Sequence, residues 1–174
     1  MRGTGWRRRA VAALVAAGAC LVAAPACADA VRPMQARGAR LLEEGMRRCE
    51  TFRVLIDAIA GSDIVVYVDL EDRDPNGTSR VEAHLQFAGA TAATRYLRVW
   101  LQPRRTDDRL VALLAHELQH AVEVAASPEV RSAAAFRAFY AAAGRSGTPG
   151  RFCTSAAEQV TMLIERELQP AGHR

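Results

Sequence analysis

Five consecutive residues carry the densest chemistry in this chain: His116, Glu117, Leu118, Gln119 and His120, set within LVALLAHELQHAVEVA. On a helix, at about 100° per residue, the two histidines lie one turn apart on one face, where both imidazoles reach a single ion. Glu117 stands roughly 100° round from His116, beside such an ion and not on it. Two neutral imidazoles, a third protein ligand and a water suit Zn²⁺, whose open position lowers the pKa of that water to about 7. A neighbouring carboxylate accepts the water's proton as it attacks a carbonyl carbon, then returns a proton to the leaving amine. Residue type and spacing therefore point to His116 and His120 as metal ligands, Glu117 as general base and Zn²⁺ as cofactor. The bland alternative leaves both histidines on the wet face of an amphipathic helix. Ala112 and Leu113 share that face one turn earlier, which fits a cleft wall better than open solvent.

The third ligand is not spelled out by spacing. No histidine follows His120 six residues on, and the options are Glu158, Glu167, Cys153 or no third ligand at all, with Glu129 opening the preceding helix. Helical phasing of residues 154–168 turns Ala156, Val160, Leu163 and Ile164 inward with Glu167 among them, and turns Glu158 and Glu165 outward. Glu123 shares the histidine face three residues past His120, where it either orients that imidazole or is a plain surface glutamate, and is not expected to ligate. His84 falls on the polar side of a strand and His173 close to the C-terminus. Tyr96 and Trp100 share a strand face suited either to line a substrate groove or to pack in the core.

The elements that must hold these groups are legible from periodicity. Residues 34–50 and 51–60 have helical spacing, and Gly61-Ser62-Asp63 breaks it. Ile64 to Leu70 is a β-branched run of strand length, followed by a turn at residues 72–77, where Pro75 fixes φ and Asn76-Gly77 accepts φ > 0. Residues 81–88 and 94–102 alternate apolar and polar, as half-buried antiparallel strands do, so a small antiparallel sheet of about three strands is expected. Helices follow at residues 106–126, 128–143 and 154–168, with a loop at 144–150. Thr106 is a fair N-cap, Asp107 and Asp108 suit the positive end of the helix dipole, and Leu110, Val111, Leu114, Leu118, Ala121 and Val122 form a stripe that packs on the sheet. The order of helices, sheet and helices is that of an α+β domain.

Residues 1–30 read as a signal peptide: Arg2 and Arg7-Arg8-Arg9, an apolar run from Ala10 to Ala24, then Ala26-Cys27-Ala28-Asp29-Ala30 with two A-x-A cleavage sites. The arginine run resembles a twin-arginine signal, but its flanks fit the general secretory route better. Neither Cys20 nor Cys27 has the leucine three positions earlier that resembles a lipoprotein signal. The apolar run, about 15 residues long, falls short of the ~20 needed to span a bilayer, so no stable membrane span is expected. Removing the segment leaves 144 residues, one domain's worth, and lowers the net charge from +4 to +1. That excludes nucleic-acid binding inferred from the whole-chain pI of 9.2. Every basic residue is arginine, from which no function follows; oligomeric state is not readable. Cys49 and Cys153 are the cysteines left after cleavage, and an even pair in an oxidising compartment is expected to bridge. The bridge would close a loop of about 100 residues, stabilising by roughly 4–5 kcal/mol and stapling the first helix to the last.

The HExxH stretch, with uncharged neighbours, no proline and a preceding strand, resembles the zincin metallopeptidases. TFRVLIDAI, SDIVVYV, RYLRVWL and LVALLAHELQHAVEVA together are similar to a group of short exported bacterial proteins, over most of the residues after 30. These relatives tend to carry an acidic residue near Cys153 or Ser155, from which this chain departs. Zincin kinship implies an edge strand that holds an extended peptide antiparallel and a third ligand further along the chain. The metzincin pattern is excluded by the missing histidine and glycine, which leaves a gluzincin-like carboxylate on a later helix. The expectation is thus an exported, minimal zincin-like zinc metallopeptidase acting on a peptide or protein, with residues 94–102 as the substrate-aligning edge. The alternative is a non-catalytic exported domain, zinc-binding or metal-free, that binds a cell-envelope partner.

Overall fold

The computed structural model describes residues 30–71, 81–143 and 153–170. In chain order the elements are β1 (Val31–Pro33), α1 (Ala36–Arg48), α2 (Glu50–Ala60), β2 (Ile64–Leu70), β3 (Ala83–Ala90), β4 (Arg95–Leu101), α3 (Asp107–Ala125), α4 (Ala133–Ala143) and α5 (Ser155–Leu168). This is the α+β class read from the sequence, with most element ends within two residues of expectation. Helix α4 starts later than expected, because residues 127–130 turn first (Val130 N–H to Ser127 O, 3.1 Å) and the Ser132 side chain then accepts from Ala135 N–H at 3.1 Å. The expected turn at 72–77, the loop at 144–150, His173 and nearly all of the expected signal peptide lie outside the described residues.

The sheet differs from the expected meander. It has four strands in the order β1-β2-β4-β3, with β1 parallel to β2, β2 parallel to β4, and only β3 antiparallel to β4. A meander requires each strand to pair with the next, yet twelve residues separate β2 from β3, far too many for a tight hairpin, and β3 pairs with β4 instead. The returning strand β4 fills the gap. Burial explains the placement: Leu97, Val99 and Leu101 of β4 are fully buried, as suits an interior strand, whereas Gln86, Ala88 and Ala90 of β3 are exposed, as suits an edge.

The helices pack on one face of this sheet. Val66, Val68, Leu97 and Val99 meet Leu110, Leu114, Leu118 and Ala121 of α3 and Phe52, Ile56 and Ile59 of α2 in one core. Tyr96, Arg98 and Trp100 lie half-buried on the other face, where Tyr96 stacks on Tyr67 and Trp100 on His84, and Arg98 lies 5.3 Å from the Trp100 ring centre.

Helix α3 is pinned at both ends by arginine. At its start, the Thr106 hydroxyl accepts from Arg109 N–H, Arg37 binds Asp107 at 2.7 Å and the Pro103 and Arg105 carbonyls, and Arg48 binds Asp108 at 2.6 Å. At its end, the buried Arg95 guanidinium donates to the carbonyls of Val124 (2.7 Å), Ala125 (3.2 Å) and Ser127 (2.8 Å) and pairs with Asp63. Negative charge at the N-terminus and positive at the C-terminus both complement the helix dipole.

Candidate metal centre

Helices α3, α4 and α5 and the edge strand β3 enclose a cleft of about 780 Å³. His116, Glu117 and His120 line it from α3, together with Leu113, as the helical phasing anticipated; Ala112 is buried instead. The two imidazole rings meet edge to face, centres 4.9 Å apart.

Each ring is held by its Nδ1. The Thr161 hydroxyl donates to Ala157 O at 3.0 Å, so its 2.9 Å contact with His116 Nδ1 requires the ring nitrogen to donate. The Glu123 carboxylate, an acceptor only, takes the His120 Nδ1–H at 2.9 Å and the Thr154 hydroxyl at 2.6 Å. Both Nε2 atoms are thereby left with lone pairs. His120 is 4% exposed and its Nε2 is buried without a hydrogen-bond partner. Such an orphan acceptor costs free energy unless something fills it, and a divalent cation suits an imidazole lone pair. Burial, helped by His120, pushes His116 down to about 4, which keeps that ring neutral and fit to ligate.

Glu117 is 6% exposed. Burial pushes its carboxyl up to about 7, against the opposing pull of His120 and of the Leu85 N–H that it accepts. That hydrogen bond joins Glu117 to β3, whose Ala83, His84 and Leu85 line the cleft. Burial works against charge on Glu123 too, but the hydrogen bonds from His120 and Thr154 hold its carboxyl below the usual range. Glu123 is therefore no plain surface glutamate: it is half-buried and bonded to the His120 ring.

The sequence candidates for a third ligand separate in space. Glu167 sits at the far end of α5 and accepts from the Thr51 hydroxyl at 2.7 Å and from Thr51 N–H, capping the start of α2. Its inward phasing was correct, but the neighbour it faces is α2 and not the cleft. Glu158 lies at the cleft, exposed, and accepts from the Cys153 thiol at 3.5 Å. Glu129 falls in the turn before α4 and does not line the cleft, and Glu165 pairs with Arg109. Cys153 Sγ is 3.8 Å from His116 Nε2. Among the described residues no three His, Cys, Asp or Glu side chains are drawn together as a finished metal cage.

The expected disulfide is not formed: Cys49 and Cys153 are both free. Cys49 is buried beside Glu167 at the end of α5, whereas Cys153 precedes its first turn. A helix of α5's length spans about 20 Å, and a bridge requires Cα atoms within about 7 Å. The strand at 94–102, expected to align substrate, is β4 and lies between β2 and β3; the edge at the cleft is β3. Tyr96 and Trp100 do not line the cleft, while His84 does.

Two contributors escaped the sequence reading. Tyr140 donates to His120 O at 2.8 Å and packs its ring 5.2 Å from the His120 ring; burial, with Glu123 and Glu117, pushes its hydroxyl well up. Only its spacing from Phe136 on an alanine-rich helix hinted at a buried position. Thr161 carried a clearer signal, a polar residue at helical spacing among the inward Ala157, Val160 and Ile164. No helix among the described residues is long and apolar enough to cross a membrane. No protein-family model, curated protein or solved structure matches this chain.

Proposed function

We propose that the protein is an exported zinc-dependent metallopeptidase in which His116 and His120 bind the metal through Nε2 and Glu117 is the general base. The observation that carries this reading is the pair of imidazoles with their Nδ1 edges engaged by Thr161 and Glu123, one Nε2 buried without a partner, beside a buried carboxyl in a cleft. Bound zinc supplies the Lewis acidity that makes water nucleophilic near neutral pH. Glu117, buried in the cleft wall, takes up a proton at its carboxyl and releases it to the leaving amine. Strand β3 is a terminal strand of the sheet and lines the cleft, so an extended peptide pairs along it as an added strand. Leu113 and Phe136 line the cleft and limit water beside the scissile bond. Export is supported by the arginine-rich start, apolar run and A-x-A sites of residues 1–30.

Elemental analysis of the purified protein should find one zinc per chain, lost in His116→Ala. Hydrolysis of an unfolded protein substrate should disappear in Glu117→Gln while zinc is retained. Zinc without hydrolysis above the Glu117→Gln background would mean a non-catalytic binding domain instead, and no zinc under metal-replete conditions would overturn the metal centre.

A further inference from the structure

We infer that Cys153 is the third protein ligand, completing a His₂Cys centre with His116 and His120; this rests on the metal-binding reading above. Zn–S bonds of about 2.3 Å and Zn–N bonds of about 2.05 Å at the tetrahedral angle set a sulfur-to-nitrogen edge of roughly 3.6 Å. Cys153 Sγ and His116 Nε2 are 3.8 Å apart, so these two donors already stand at nearly the spacing of one edge of such a site. The second, independent observation is His120 Nε2, buried in the same cleft wall with nothing to bind.

The surrounding contacts tie the segment that carries the thiol to the partners of both rings. Thr154, the next residue, caps α5 by accepting from Ala157 N–H at 3.2 Å and donates to Glu123, which in turn holds His120. Thr161, on the same helix, holds His116. Helix α5 and the residues just before it thus carry the thiol, the Thr161 partner of His116 and the Thr154 that holds Glu123. The other polar contacts of the sulfur are loose, 3.5 Å to Glu158 and 3.8 Å to Thr154 O, so ligation displaces nothing strong. A thiolate is the soft ligand that zinc favours beside imidazole. With three protein ligands a fourth position stays open for chemistry.

The test is optical and needs no turnover. The full-length protein loaded with one equivalent of cobalt(II) should show the near-ultraviolet charge-transfer absorption of a thiolate–cobalt bond. Cys49→Ser should keep that band. Cys153→Ser should lose it and weaken cobalt binding about 10-fold or more. Cys153→Asp, which offers an oxygen in place of sulfur, should lose the band while keeping visible-range cobalt absorption, which shows that the variant is folded and loaded. Stoichiometric cobalt that depends on His116 but gives no thiolate band, or a band that survives in Cys153→Ser, would overturn the assignment and leave the two-histidine metal site standing. Loss of that cobalt in Glu158→Gln would then identify the carboxylate as the ligand. Failure to bind cobalt or zinc at all would overturn both readings together.

Discussion

Arg95 fastens the C-terminal end of the HExxH helix to the rest of the domain. Its side chain is 1% exposed and spends every donor: the guanidinium reaches both Asp63 oxygens (2.5–3.1 Å) and three carbonyls at the C-terminal end of α3. Arg95→Met keeps the length and apolar stem but removes all of these donors. Breaking a buried ion pair costs about 3–5 kcal/mol, and losing a hydrogen bond from a charged group about 1.5–3 kcal/mol. The Asp63 share is reduced, because its side chain is a third exposed and retains Arg131 at 3.3 Å. The helix-end carbonyls lose a charged donor, so the net loss should be about 3 kcal/mol, or roughly 10 °C in Tm for a domain of this size. Arg95→Lys keeps the charge without the fork and should lose about half as much. Urea unfolding followed by far-UV circular dichroism measures both, and amide exchange should quicken in the last turn of α3. A loss under about 1 kcal/mol for Arg95→Met would refute the claim that Arg95 fastens the helix.

Three further outcomes follow from the same contacts. Hydrogen bonding from Arg95 holds the Asp63 carboxyl below the usual range, so its stabilisation is full above the unfolded pKa of about 3.9 and is lost as pH falls through the lower folded value. Asp63→Asn should therefore be less stable than the parent at pH 7, with the two melting curves converging in acid; a constant gap down to pH 2 would count against it. Gly45 faces Phe52 so closely that an added Cβ would lie 2.8 Å from the ring, and Phe52 is wholly buried. Gly45→Ala gains about 1 kcal/mol of helix propensity but forces the ring aside, so it should destabilise by about 1–2 kcal/mol net in denaturant titration instead of stabilising. Glu123→Gln weakens the acceptor that holds His120 Nδ1–H and should lower zinc affinity about 10- to 100-fold in competition with a chelator, with the far-UV spectrum unchanged.

Much of the site's identity was local and hence readable. The HExxH turn, its helix, the Thr106 cap and the placing of Glu123 beside His120 all follow from spacing along one helix, because residues three and four apart share a face whatever surrounds them. The α+β order was readable for the same reason, since strand alternation and helical periodicity are properties of short windows. Glu167 shows where that reasoning stops: its inward phase on α5 was right, yet phase does not say which element lies opposite, and the answer was α2.

What the sequence by itself determined is the chemistry on offer: two imidazoles and a carboxyl on one helix, in a domain with strands before and helices after. Only the tertiary structure decided that β4 is interior and β3 is the edge, that Thr161 and Tyr140 grip the histidines, and that Cys153 stands beside His116 and not Cys49. Each of these is a contact between segments tens of residues apart. Their pairing is set by which surfaces bury most completely against one another, and no local pattern encodes that.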